Sequence, residues 1–129
     1  MEKSFVKGER PQMRGYSSAV ITSNPGKTIW LAGHTGSVRD DGTSLAGDFE
    51  AQCRQTFANI AGTLAECGAK LSDMVTMTVF LIDARYTTRM TEIRREIFGD
   101  NFPGSAAITV TGFANPSAMI EIQGIAVLP

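Results

Sequence analysis

The chain has 129 residues, of which 43% are apolar and 19% are charged, and its net charge is −1 at pH 7. These values are typical of one folded domain spanning residues 1–129 and exclude a disordered or fibrous chain. The twelve Lys and Arg residues are scattered along the sequence. Because a nucleic-acid partner requires a clustered basic surface, we expect no nucleic-acid partner.

The sequence gives three indications of the cellular compartment: its first residues, its apolar runs and its cysteines. Residues 1–5 lack the apolar core of a signal peptide, and no apolar run reaches membrane-spanning length. We therefore expect a cytoplasmic protein that makes no membrane contact. Cys53 and Cys67 fall in one predicted helix, about 21 Å apart along its axis, so they cannot pair and are expected to be reduced thiols.

The first part of the chain is predicted to be mostly β-structure. A polar lead-in, residues 2–10, is expected to be an irregular arm or a short edge strand. The β-type runs 16–21 and 28–32 flank Asn24-Pro25-Gly26. Proline presets the first turn dihedral and glycine accepts a positive φ, so this pattern predicts a hairpin between the two runs.

The first long helix is predicted from about Asp48 to Cys67, with Asp48 as the N-cap and Gly68 just past the C-terminus. Its apolar residues recur at steps of three and four and form one stripe. These residues are Phe49, Cys53, Phe57, Ile60, Leu64 and Cys67.

The second half alternates strands with one more helix. Strands are predicted at 74–82, 106–111 and 119–127. A helix is predicted at 87–98, with Met90, Ile93 and Ile97 facing inward and its charged residues mostly outward. The outward set is Arg89, Glu92, Arg94, Arg95 and Glu96. This order predicts an α+β fold, a mixed sheet with two helices on one face.

The other face of this sheet is too apolar to be left in water. Its candidates are Phe80, Ile108 or Val110, Phe113, Ile125 and Val127. Two helices cannot cover them, so we expect self-association into a closed homo-oligomer. Clefts between subunits are common sites for small ligands.

The last strand presents one carboxylate. Residues 120–126 alternate, so that Glu121 and Gln123 share one face and Ile120 and Ile122 share the other. A solvated outer face is the simpler interpretation of Glu121, since charged residues are mostly exposed. A position facing a pocket is the alternative.

Six motifs, in this order of elements, resemble the Rid family, the reactive intermediate deaminases also called the YjgF family. They are YSSAV at 16–20, LAGH at 31–34, AQCRQ at 51–55, TVFL at 78–81, MTEI at 90–93 and IEIQGIAV at 120–127. The resemblance extends from Tyr16 to Val127.

This resemblance implies a chorismate-mutase-like α+β fold that forms a homotrimer with three clefts between subunits. It also implies hydrolysis of small imines or enamines to 2-keto acids and ammonia, without a metal or organic cofactor. In such proteins an arginine grips the substrate carboxylate, a glutamate positions water and a tyrosine lines the cleft. Tyr16 and Glu121 match the tyrosine and the catalytic glutamate.

The family's arginine is not matched, because Ser105 stands in its place. Ala107 follows on the same strand, and Thr91 replaces an asparagine that is common in the family. We include all three among the expected substrate-binding residues. A hydroxyl in place of a guanidinium would weaken carboxylate binding about ten- to a hundredfold. The substrate would then lack the carboxylate, or another cation would hold it. Arg14 is the nearby candidate, with surface solvation as the alternative.

His34 is the only histidine and stands where the family more often has glutamine. It is expected either to line the cleft or to form structural hydrogen bonds. One histidine and two distant cysteines make no metal-ligand set, so no metal site is predicted.

Two classes of function remain open at this point. The first is a C=N hydrolase, a deaminase of altered substrate range in which Glu121 positions water. The second is a non-catalytic trimer that binds a metabolite or a partner protein. Endoribonuclease action, reported for some relatives, is less consistent with the charge balance.

Overall fold

A computed structural model describes all 129 residues, and its main elements are six strands and three α-helices. The strands are β1 (Glu2–Val6), β2 (Ala19–Ser23), β3 (Lys27–Trp30), β4 (Met74–Leu81), β5 (Gly104–Thr109) and β6 (Ile120–Leu128). The helices are α1 (Glu9–Met13), α2 (Phe49–Glu66) and α3 (Thr87–Phe98). None of these helices combines the length and the apolar character needed to cross a membrane.

The main sheet has four strands in the order β3-β6-β4-β5. β6 is antiparallel to both β3 and β4, whereas β4 and β5 run parallel. β1 and β2 form a separate antiparallel ribbon, which a single bridge between Ser17 and Gly104 joins to the exposed edge at β5. The predicted α+β fold with a mixed sheet is confirmed.

Helix α2 begins and ends where the sequence predicts. The Asp48 carboxylate caps it by accepting a hydrogen bond from the Ala51 amide at 3.0 Å. Gly68 follows the last turn with φ of 77°, a conformation that favours glycine. The apolar stripe is buried against the sheet.

The core lies between one face of the main sheet and helices α2 and α3. Its fully buried residues include Phe57 and Ile60 of α2, Ile93 of α3, and Ile120 and Ile122 of β6. Burial of these large side chains stabilises the fold by roughly 1.5–3 kcal/mol each. Both long helices therefore cover the same face, and the opposite face of the sheet has no helix.

The predicted hairpin between residues 16–21 and 28–32 is wrong. The turn itself forms, with φ of 53° at Asn24, but β2 pairs with β1 and β3 pairs with β6. The Gly26 amide donates to the Leu128 carbonyl at 2.9 Å, so the chain leaves the turn already paired with β6. A turn motif predicts a change of direction, whereas the partner of each strand depends on what each can bury. Ile29 of β3 is buried in the core, and β2 buries no residue.

The N-terminal lead-in is an edge strand, β1, which was one of the two alternatives. The short helix α1 was not predicted. It has no side-chain cap and only five residues, so it gives no periodic signal in the sequence. It nevertheless carries Arg10, followed by Arg14 just past its end, and both contribute to the site described next.

The two cysteines should differ in reactivity. Cys53 is fully buried, and burial raises the pKa of its thiol to about 12, whereas Cys67 is partly exposed. Because the thiolate is the reactive form, iodoacetamide at pH 8 should modify Cys67 and spare Cys53 in the folded protein. Peptide mass spectrometry measures this, with the urea-unfolded chain, in which both react, as control. Equal labelling of both in the folded protein would contradict the burial of Cys53.

Candidate functional site

Five of the seven residues predicted for the site line one cavity of about 370 Å³. It lies between α3, the exposed strand β5 and the segment that joins α1 to β2. The five are Arg14, Tyr16, Thr91, Ser105 and Ala107. The other lining residues are Arg10, Thr87, Met90, Arg94 and Ala106. Three of the ten are arginines and none is acidic, so we call this space the basic cavity.

Tyr16 is held in the basic cavity by its neighbour, Ser17. The Ser17 amide donates to the Pro103 carbonyl at 3.0 Å, and its hydroxyl donates to the Phe102 carbonyl at 2.5 Å. Ser17 is buried, so water does not compete for these bonds. Gly15, with φ of 71°, makes the turn that brings the chain from α1 to this position. Tyr16 is thereby fixed beside the start of β5.

Arg94 is the residue that the sequence interpretation placed wrongly. It was expected to face outward, but it is only 3% exposed and points from α3 towards β5. Its Nη1 donates to the Ser105 hydroxyl at 2.7 Å, and its Nη2 donates to the Arg14 carbonyl at 3.2 Å. Arg94 lies four positions after Met90, so it belongs to the helix stripe that the apolar residues define. That spacing was the signal that could have identified it.

The guanidinium of Arg94 is buried without a counter-ion. None of the four ion pairs in the chain includes it, and its Nε has no hydrogen-bond acceptor. Burial lowers its pKa to about 10, with the charge of Arg14 acting in the same direction. The group is still protonated at pH 7. A positive charge therefore stands directly behind Ser105, where the sequence alone indicated none.

The contact between Arg94 and Ser105 sets what the hydroxyl can do. A hydroxyl oxygen that accepts an N–H from a guanidinium still has its own hydrogen to donate. Because Arg94 is charged, it polarises the O–H bond and strengthens any hydrogen bond that Ser105 donates. Ser105 is partly exposed, so it can pass part of the effect of the arginine to an anion in the basic cavity.

Glu121 is not part of the basic cavity of its own protomer. It pairs with Phe80, which pairs with Ile108 of β5, so these three side chains share one face of the sheet. Ser105 lies three positions before Ile108 and faces the other side, towards α3. Glu121 and Ser105 are therefore on opposite faces of the sheet, with strand β4 between their two strands.

The carboxylate of Glu121 packs against the backbone of Gly33. A Cβ atom at Gly33 would lie 2.9 Å from Glu121 Cδ and would clash with Oε2. A side chain at position 33 would displace the carboxylate, which now occupies that space. The LAGH motif and the last strand thus meet at Glu121, on the face that carries no helix.

His34 lies on the helix side and makes structural hydrogen bonds. Its Nδ1 is 2.8 Å from the Ala32 carbonyl, and its Nε2 is 2.8 Å from the Thr63 hydroxyl of α2. The carbonyl accepts only, so Nδ1 carries the hydrogen, and Nε2 of the neutral ring accepts from Thr63. Both ring nitrogens are engaged, and the structure does not bring His34 to the basic cavity.

Comparison with known proteins identifies the family. The family model described as endoribonuclease L-PSP matches residues 8–128, almost the whole chain. The chain belongs to the Rid/YjgF family. Two relatives illustrate the match. A RutC family protein of Pyrococcus abyssi is 32% identical over 111 residues, covering 86% of this chain and 84% of that protein.

Human 2-iminobutanoate/2-iminopropanoate deaminase is the second such relative of this Rid/YjgF chain. It is 30% identical over 112 residues, covering 87% of this chain and 79% of the human protein. Among solved structures, the Rid family protein YyfB of Yersinia pestis superposes with a TM-score of 0.86. That structure covers 99% of this chain at 24% identity, a level that supports the fold alone.

Replacing Arg94 tests whether its buried charge stabilises the fold. A pKa lowered to about 10 corresponds to a cost of roughly 3 kcal/mol, which is present at pH 7 and declines only above pH 10. The variant Arg94→Met removes this cost and two hydrogen bonds to oxygen, so its free energy of unfolding should be unchanged or raised by up to about 2 kcal/mol. Urea unfolding at pH 7 measures this.

The matched control is Arg39→Met, since Arg39 is exposed and forms no ion pair. It should change the free energy of unfolding by about 0.5 kcal/mol or less. A loss of more than about 2 kcal/mol in Arg94→Met alone would show that the contacts of Arg94 hold the fold together.

Proposed function

We propose that this Rid/YjgF chain hydrolyses the C=N bond of a small imine or enamine in clefts between the copies of a homotrimer. One observation carries the proposal: Arg14, Tyr16, Thr91, Ser105 and Ala107 come from separate parts of the sequence and line a single cavity. Its volume of about 370 Å³ suits a small metabolite. The human relative named as a deaminase of 2-imino acids supports the same chemistry.

The cleft needs a second copy because Glu121 faces away from the basic cavity of its own protomer. Strand β5 forms an open edge of the main sheet, and the face that carries Glu121 has exposed apolar side chains and no helix over it. On that face Ile108 is 46% exposed, and Trp30 of β3, which pairs with Ile125, is 76% exposed. Burying such residues favours association. In the proposed homotrimer, Glu121 of one copy approaches the basic cavity of the next.

The proposed reaction requires one base and no cofactor. An enamine first becomes the imine by gaining a proton at its β-carbon and losing one from nitrogen. The Glu121 carboxylate then takes a proton from water while the water oxygen attacks the C=N carbon, and Glu121 passes that proton to the nitrogen, which has received the C=N π electrons. The resulting carbinolamine loses ammonia as its C–N bond breaks and its hydroxyl becomes the carbonyl. Water and imine are thereby converted to a carbonyl compound and ammonia, without oxidation or reduction.

Two alternatives have weaker support. A non-catalytic trimer that binds a metabolite would use the same cavity, so only a measurement of turnover distinguishes this function from an enzyme. Endoribonuclease action is suggested by the description of the family model. Only three of the twelve Lys and Arg residues gather in the basic cavity, and the chain has a net charge of −1, whereas RNA binding requires an extended basic surface.

Removal of the base should abolish turnover. An amino acid oxidase supplies the imine, and its decay is followed with and without the protein. Glu121→Gln should lower kcat at least about a hundredfold and leave KM within about threefold, because the amide keeps the shape of the side chain and cannot accept the proton. Glu66→Gln, at an exposed and unpaired glutamate, is the matched control.

Light scattering of the same samples gives the assembly state. A trimer of the 13.8 kDa chain is expected. Equal rates for the wild type and Glu121→Gln would remove Glu121 from the mechanism. A wild-type protein that accelerates no imine would favour the binding alternative, and a monomer would exclude the shared cleft.

Gly33→Ala should act through Glu121. The added Cβ would occupy the space of the carboxylate and displace it, so kcat should fall by about tenfold or more while the chain stays folded. Gly62→Ala is the matched control, since Gly62 lies in α2 with open space around it. It should leave kcat unchanged and raise the free energy of unfolding by roughly 0.5–1 kcal/mol. Full activity of Gly33→Ala would contradict a precise placement of Glu121.

A further inference from the structure

We infer that the basic cavity binds a small ligand with two anionic groups, and that the substrate is the imine or enamine of a small dicarboxylic acid. The statement about binding rests on the charges of the cavity itself. The statement about the substrate also rests on the proposed function.

The basic cavity carries positive charge that no acidic residue balances. Arg10, Arg14 and Arg94 all line it, and no Asp or Glu does. None of the three takes part in an ion pair anywhere in the chain. Like charges gathered without a counter-ion repel one another, and the fold gains nothing from that repulsion. An anionic ligand would neutralise the group.

The positive charge of the basic cavity is divided between two positions. Arg94 is buried at the end of the cavity formed by β5, where it donates to the Ser105 hydroxyl. Arg10, the second residue of α1, and Arg14, just past the end of α1, are exposed and lie four positions apart, on the same side of that segment. One anionic group would bind at Ser105, backed by Arg94, and a second would bind between the two exposed arginines.

The volume of the basic cavity limits the size of the ligand. A cavity of about 370 Å³ is at the small end of ligand sites. The Arg94 Nη2 contact to the Arg14 carbonyl, at 3.2 Å, brings the backbone of Arg14 next to the guanidinium of Arg94. A dicarboxylate of four or five carbons is small enough for this volume and carries two anionic groups. A single carboxylate would leave one position empty.

The test compares ligands of equal length that differ in one charge. Succinate and butyrate both have four carbons, and calorimetry gives their Kd values for the wild-type protein. Succinate should bind at least about tenfold more tightly, and added salt should reduce the difference. Arg14→Ala and Arg10→Ala should each weaken succinate about two- to fivefold and leave butyrate unchanged.

Arg94→Met should weaken both ligands about ten- to a hundredfold, since it removes the charge behind the shared position. Arg39→Ala, at an exposed arginine that does not line the cavity, should change neither Kd. Equal affinity for succinate and butyrate, or equal losses of both ligands in Arg14→Ala, would overturn the inference.

Kinetics separate this inference from the proposed function. Iminosuccinate and 2-iminobutyrate, formed by oxidation of aspartate and 2-aminobutyrate, differ by the same one carboxylate. The expected result is a higher kcat/KM for iminosuccinate that falls to the level of 2-iminobutyrate when Arg10 and Arg14 are both replaced by Ala. Selective binding of succinate without turnover of either imine would refute the proposed function and support the dianion site. Equal turnover of both imines, without selective binding of succinate, would support the proposed function and refute the dianion site.

Discussion

The site depends on one contact, the buried guanidinium of Arg94 held at the hydroxyl of Ser105. Its burial without a counter-ion costs the fold stability, because a charge removed from water needs a compensating partner. Ser105 and the Arg14 carbonyl supply neutral acceptors only. The arrangement makes physical sense if the missing negative charge arrives with a ligand. The buried charge of Arg94 then lowers the stability of the unliganded fold and strengthens the binding of the ligand.

The fold provides this contact through its two layers. Helix α3 packs on the sheet with its apolar stripe, and that stripe carries Arg94 to the edge strand β5. The segment after α1 is fixed across the same edge by the hydrogen bonds of Ser17. These three elements close the basic cavity on the helix side. The opposite face of the sheet has no such cover, and it presents Glu121 beside Gly33. A reaction that needs both faces therefore needs two copies of the chain, which is the physical reason for proposing an inter-subunit site.

An arginine delivered from a helix is not equivalent to one delivered from the strand. A guanidinium at position 105 would project into the cavity and contact a carboxylate directly, with its planar fork. Arg94 lines the basic cavity but is almost fully buried behind the Ser105 hydroxyl, so we expect the ligand to meet chiefly a polarised O–H donor with a charge behind it. The contact between the Ser105 hydroxyl and a carboxylate is weaker than a guanidinium contact would be. Arg10 and Arg14 add a second positive position, and their side chains are exposed. The basic cavity is thus suited to a ligand that spreads its charge over two groups.

The sequence by itself determined the long helices, the central strands, the caps of α2 and the membership of a family, because periodicity, capping and turn residues act locally. It also selected five residues that share the basic cavity. The pairing of β2 and β3, the short helix α1 and the direction of Arg94 were decided only by the tertiary structure. Each of these depends on which distant segment offers a surface to bury against, as β6 does for Ile29. An arginine on an apolar stripe has the same sequence pattern whether its guanidinium extends to water or contacts a half-buried hydroxyl. Only the packing of β5 and of the Arg14 carbonyl beside α3 determines that Arg94 contacts Ser105.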